Sequence, residues 1–243
     1  MSLLTPGSPR PKQNQLLAAL SPTDFNHLLS YLKLVTMPLG KVIYESGVLL
    51  NHLYSPADCI ISLLYVMQNG AAAEIAVTGN EGVVGIALFM GGGTTPSRAI
   101  VQSAGYAFEL RSEVLDKEFA RASALQHLLL RYTQALITQM SQTAVCNRHH
   151  TVDQQLCRWL LLSLDRLSSN EVSMTQELIA NMLGVRREGV TQAAGKLQAR
   201  GLIQYSRGRI TVLGRPALEA EVCECYAVVK REYDRLLPVC TAV

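Results

Sequence analysis

The chain has no long apolar run, and no stretch of about 18 residues reaches the hydrophobicity of a membrane span. It does not open on a basic segment followed by an apolar one, so no secretory leader is expected, and the cytoplasm is the expected compartment. Histidine is scarce: of five in 243 residues, only His52 falls between positions 28 and 126. That is too few for a metalloenzyme that needs two or three histidines on neighbouring strands. No Ser/His/Asp or Cys/His grouping pairs a nucleophile with a base, so no enzymatic activity is expected. Charged residues make up 17% against 49% hydrophobic, the balance of a soluble, well-buried protein and not of a disordered one. The length suits two modest domains, each with its own core.

Six cysteines are present, and in a cytoplasmic chain they are expected to stay thiols. Cys59, Cys146 and Cys157 sit among apolar residues and read as small buried hydrophobes. Cys223 and Cys225 stand two apart on an expected helix and so face different ways. The nearest metal set, Cys146 with His149 and His150, fails because adjacent histidines on a helix cannot both face one ion. No metal and no cofactor is expected.

What is present is concentrated in residues 173–203. Thr175 is a good helix N-cap, and Leu178, Ile179, Met182 and Leu183 form an apolar face after it. Gly184 follows where a chain turns sharply between two helices. A second helix from Arg186 to Arg200 buries Val190, Ala194 and Leu197, and carries Arg187, Glu188, Thr191 and Gln192 on its other side. This is the layout of a helix-turn-helix, although spacing alone also fits an ordinary helical hairpin. Residues 201–213 then read as a β-hairpin with Gly208 supplying a positive φ and Arg207 and Arg209 at its tip. Residues 170–215 hold seven Lys/Arg against three Asp/Glu, a local +4 in a chain of net +3. Such an excess suits phosphate contact, which supplies much of the affinity of DNA-binding modules.

Thr175, Ile179-Ala180, Leu183-Gly184, Arg187-Glu188, Val190, Leu197 and Gly201-Leu202-Ile203 together resemble the helix-turn-helix of the CRP/FNR superfamily of bacterial transcription regulators. The resemblance extends over about residues 20–215 and is specific in the DNA-binding half. It implies an α+β chain: an N-terminal antiparallel β jelly-roll sensor domain, a long dimerisation helix and a C-terminal winged helix-turn-helix domain. It also implies double-stranded DNA with a near-palindromic site, a second copy of the chain, RNA polymerase and a small-molecule effector as partners, and no membrane. The cysteines do not match the clustered N-terminal set with which some members hold an iron–sulfur cluster. The base-reading positions fall at Arg187, Glu188, Thr191 and Gln192. Gln192 stands where the family carries an arginine, and so favours adenine and a changed half-site. Thr175, Gln176, Arg186, Arg207 and Arg209 fall at phosphate contacts.

Upstream, the expected boundaries are a loose arm over 1–20, the sensor domain over 21–111, linking and dimerisation helices over 112–148, the DNA-binding domain over 149–215 and a terminal helix over 216–243. Ser21-Pro22-Thr23-Asp24 reads as a capped helix start. From Leu34 to Leu110, short β-rich runs at 41–44, 60–66, 74–77, 99–102 and 106–110 alternate with glycine turns, the texture of a small barrel or jelly roll. Leu125, Leu129, Tyr132, Leu136 and Met140 then form one apolar stripe on a long helix. Periodicity leaves open whether that stripe covers its own domain or a second subunit, and the resemblance implies the dimer axis. Trp159 reads as core. The terminal helix packs either on its own DNA-binding domain or against the other subunit or the sensor domain.

The effector region departs from the family. Cyclic-nucleotide members hold the ribose with a glutamate after a glycine and the phosphate with an arginine before a serine or threonine. Here Gly85 is followed by Ile86, and Ser97 stands in the arginine's place with Arg98 one position later. Ser141, on the long helix, completes the expected pocket. An effector other than cyclic AMP is expected, with a ligand-free sensor domain used for protein contacts as the alternative. A cupin-like metalloenzyme is remote.

Overall fold

The computed structural model describes residues 9–237. A 3-10 turn over Pro11–Gln13 leads into α1 (Gln15–Ala18) and α2 (Pro22–Leu29). The loose arm expected over 1–20 is corrected over 9–20; residues 1–8 lie outside the described residues. Leu16, Leu17 and Leu20 are buried in the N-terminal core, too much apolar surface to leave in water. Asn14 caps α1 by accepting from the Leu17 N–H, and its fully buried amide donates to the carbonyls of Pro56 (3.0 Å) and Gly82 (2.8 Å). Ser21 caps α2, accepting from the Asp24 N–H at 3.1 Å.

Seven strands follow: β1 (Lys33–Met37), β2 (Val42–Tyr44), β3 (His52–Pro56), β4 (Ile60–Val66), β5 (Ala72–Thr78), β6 (Arg98–Ser103) and β7 (Gly105–Arg111). They form two antiparallel sheets, β1-β7-β3 and β2-β6-β4-β5. The run Ile60-Ile-Ser-Leu-Leu64 is buried throughout because its sheet is covered on both faces. Ile61 and Leu63 enter the N-terminal core, whereas Ile60 and Leu64 join the core of the C-terminal domain. The two domains therefore share packing across one sheet.

The helical stretch expected from Ser112 is two helices, α3 (Ser112–Ala120) and α4 (Ala124–His149), separated where Ala122 takes φ +48°. The stripe assigned to the dimer interface requires a correction. Leu125, Leu129, Tyr132 and Leu136 are buried in the chain's own N-terminal core, and Met140 packs against that core. The Tyr132 hydroxyl shares a 2.9 Å hydrogen bond with Thr78, and a Cβ at Gly82 would lie 2.1 Å from its ring. These side chains are spent inside one subunit.

α5 (Val152–Leu164) starts on a reciprocal cap between Thr151 and Gln154, and carries Trp159 and Leu160-Leu-Leu162 into the second core. Strand β8 (Glu171–Ser173), α6 (Gln176–Leu183), α7 (Arg187–Ala199), β9 (Ile203–Ser206) and β10 (Arg209–Val212) complete the domain, with sheet order β8-β10-β9. The terminal helix expected as one piece from Pro216 is α8 (Arg215–Glu221) and α9 (Glu224–Leu236), because Val222 and Cys223 are extended. α9 bridges the domains: Tyr226 and Val229 enter the second core, and Tyr233 reaches the first. Gln139 of α4 is the polar link. It accepts from the Val77 N–H at 3.0 Å and donates to the Tyr233 hydroxyl at 2.8 Å. No helix among the described residues is long and apolar enough to cross a membrane.

Candidate nucleic-acid interface

The helix-turn-helix is assembled by local rules that its residues satisfy. Thr175 accepts from the Leu178 N–H at 3.3 Å and opens α6. Gly184 closes it at φ +65°, a left-handed conformation that side chains resist, and the Val185 N–H returns to the Ala180 carbonyl. Ile179, Met182 and Leu183 are buried as expected, but Leu178 is largely exposed, lying about 100° around the helix from Ile179. On α7, Val190, Ala193, Ala194 and Leu197 face the core. Arg187, Glu188, Thr191 and Gln192 all face solvent, as does Arg186 at the N-cap.

The wing turns through Arg207 (φ +51°) and Gly208 (φ +74°), two positive angles in a two-residue loop. That is the type I′ hairpin geometry, whose twist matches the strands. It brings the wing tip back to the start of α6, with the Met174 N–H donating to the Gly208 carbonyl at 2.7 Å. A shallow surface cavity of about 260 Å³ results, lined by Thr175, Gln176, Arg187, Tyr205, Ser206 and Arg207. The Thr191 hydroxyl donates to the Gln176 side-chain Oε1 at 2.7 Å and so joins the first helix to the second. Tyr205 and Ser206 were absent from the sequence-based set. Only the register of β9 places them here, and no motif marks them.

The basic residues separate into two groups. Lys196 pairs with Asp153 at 2.8 Å, Arg200 with Glu221, and Arg215 with both Asp165 and Glu219, all behind the recognition face. Arg209 has only a loose partner, Glu171 at 3.8 Å. Among the described residues, no carboxylate pairs with Arg186, Arg187 or Arg207. Part of the local +4 is thus neutralised by carboxylates of the chain itself, and of the unpaired remainder Arg187 and Arg207 line the cavity.

The residues expected to hold an effector occupy a different setting. Gly85 has φ +111° and starts a short 3-10 turn in which Ile86 packs against the N-terminal core. Ser97 is buried, its hydroxyl 2.9 Å from that of Thr95. Arg98 opens β6 and forms a 3.2 Å ion pair with Glu45. Ser141 stands apart from these four on the outer face of α4, donating to the Ile137 carbonyl. A separate cavity of about 260 Å³, open to solvent, is lined by Glu81, Arg166, Val229 and Tyr233 and by none of these five residues.

This geometry has known counterparts. Residues 154–221 match the model of the Crp-like helix-turn-helix domain family. The chain is also similar in structure to FixK2 of Bradyrhizobium japonicum, at 15% identity and a TM-score of 0.68, covering 79% of this chain and 98% of that one. A putative transcriptional regulator of the CRP/FNR family from Eubacterium rectale gives 18% identity and 0.64, covering 86% and 98%. The c-di-GMP responsive global regulator CLP of Xanthomonas campestris gives 16% and 0.63, covering 80% and 100%. No curated protein sequence matches the chain. Residues 154–221 are thus similar to the Crp-like helix-turn-helix domain, and the chain shares the fold of these solved structures.

Proposed function

We propose that the protein is a homodimeric, sequence-specific transcription regulator that reads duplex DNA with α7 and answers to an effector other than cyclic AMP. The observation that carries this reading is the partition of charge: Arg186, Arg187 and Arg207 stand free beside an exposed polar helix face. In this reading Arg187 contacts guanine, Glu188 accepts from a cytosine amino group, and Gln192 pairs with adenine. Thr191 reaches the same bases, whereas Thr175, Gln176, Arg186, Arg207 and Arg209 hold phosphates and set the register.

The second subunit would dock on the outer face of α4. His127, Leu130, Gln134, Ile137, Ser141 and Ala144 recur there at steps of three and four, all exposed. Leu130 and Ile137, seven residues apart, are 45% and 53% exposed, the spacing of a coiled-coil seam. The effector reading rests on Ile86, which offers a ribose hydroxyl no partner, and on Arg98, already held by Glu45.

Binding-site selection from a random duplex library tests the proposal. A two-fold symmetric site with half-sites about 34 Å apart is expected. Arg187→Ala should weaken it by about 1–3 kcal/mol and relax one base position. Enrichment of no site, or of an asymmetric one, would refute it. Calorimetry with cyclic AMP and cyclic GMP tests the effector clause, which fails if either binds at micromolar concentration.

A further inference from the structure

Three cysteines and a histidine, distant in the sequence, meet where the DNA-binding domain joins the long helix. Cys146 and His150 lie four residues apart at the end of α4, with Cys146 fully buried and His150 closing the helix. Cys223 and Cys225 come from the break between α8 and α9, and both are buried. The expectation of no metal site assumed one continuous helix with these two thiols facing apart. The extended backbone at Val222 and Cys223 removes that assumption.

The Sγ atoms of Cys146 and Cys223 are 3.6 Å apart, as are Cys225 Sγ and His150 Nδ1. All four ligand atoms lie within 4.8 Å of one another. Thiolates held tetrahedrally at about 2.3 Å from a zinc ion stand about 3.8 Å apart, so the set is already close to the required polyhedron. The histidine is oriented for ligation. Its Nε2 lies 3.4 Å from the Glu224 carboxylate, which leaves Nδ1 turned to the thiols, as in a carboxylate–histidine–metal arrangement.

The charges also suit a cation. Three thiolates and a divalent ion leave one net negative charge in a buried place. Arg158, itself buried, acts on the Cys146 and Cys225 thiols through its charge, and its Nε has no hydrogen-bond partner among the described residues.

We propose that Cys146, His150, Cys223 and Cys225 form a closed site for one thiophilic divalent cation, zinc by ligand chemistry. With all four positions filled by protein, the ion has no open position for substrate. Its role is to fasten the hinge end of α4 to the junction of the C-terminal helices, and hence to fix the base of the DNA-binding domain.

Cobalt replacement in the full chain, kept reduced, tests this. The parent should take up one cobalt ion per chain, with the visible bands of tetrahedral cobalt and thiolate charge transfer, and lose them when zinc is added. Zinc should raise the melting temperature, and a chelator should lower it. Cys225→Ser should abolish the bands while retaining the parent's circular dichroism, and His150→Asn should weaken cobalt at least tenfold. Cys157→Ser, buried elsewhere, should leave the bands unchanged. Should Cys225→Ser fail to fold, the parent titration and His150→Asn still decide. Absence of tetrahedral bands in the reduced parent, or bands that survive both ligand substitutions, would overturn the site.

Discussion

At the scale of single residues, a buried carboxylate without a full set of partners is most exposed to pH. Glu74 of β5 faces the second core, and burial raises its pKa from the ordinary 4.5 to about 7. Ser62, Arg158, Arg166 and Trp159 offset only part of that, and one carboxylate oxygen has no hydrogen-bond partner. Below about 4.5, folded and unfolded chains both hold the proton and nothing is lost. As pH rises from about 4.5 to about 7, the unfolded chain releases the proton while the folded chain holds it, so stability falls across that window and no further above it. Glu74→Gln should therefore stabilise the protein by on the order of 2–3 kcal/mol at pH 8 and by little at pH 5, as measured by urea unfolding. An equal effect at both values would refute this. Gln192 is the other residue with a sharp consequence. Gln192→Arg should shift the selected half-site toward guanine at one position. Unchanged half-sites would remove Gln192 from base reading.

At the scale of elements, legibility followed how local the determining forces are. Caps, the turn at Gly184 and the wing turn at Gly208 depend on a few neighbouring residues, and their residue types disclosed them. The stripe on α4 was also visible, but an apolar stripe says only that something covers it. What covers it, the chain's own sheets, α1 and α9, depends on pairings tens of residues away. The exposed seam escaped notice because Gln134 and Ser141 interrupt Leu130 and Ile137, which lowers its apolar signal. The break before α9 escaped as well, since no glycine or proline marks Val222 and Cys223. These two faces of α4 predict opposite phenotypes. Ile137→Glu should give a folded monomer with weakened operator binding. Leu136→Glu should cost stability outright, because it buries a charge in the N-terminal core. Sedimentation and thermal melting separate the two. A dimeric Ile137→Glu protein would remove α4 from the interface.

At the scale of the whole molecule, the two domains behave as one packed body. Ile60, Leu64 and Val77 of the N-terminal sheet join Leu156, Trp159 and Leu160 in a single cluster. Beside it, Arg166 at the end of the α5 segment donates to Glu81 at 2.8 Å, a buried ion pair between the domains. Glu81 also accepts from the Gly79 N–H, which fixes the loop that carries it. Such a pair adds little over a well-packed apolar substitute, but removing one partner strands the other charge. Arg166→Met should thus cost about 3–5 kcal/mol, much of it recovered when Glu81→Leu is added. The chain's single tryptophan, Trp159, lies in the shared core and reports on it directly. In the parent, tryptophan fluorescence and far-ultraviolet circular dichroism should trace the same denaturant transition. In Arg166→Met the fluorescence change should come first, as the interface parts before the sheets unfold. Coincident curves in the variant would mean that the shared apolar cluster holds the domains together without the ion pair.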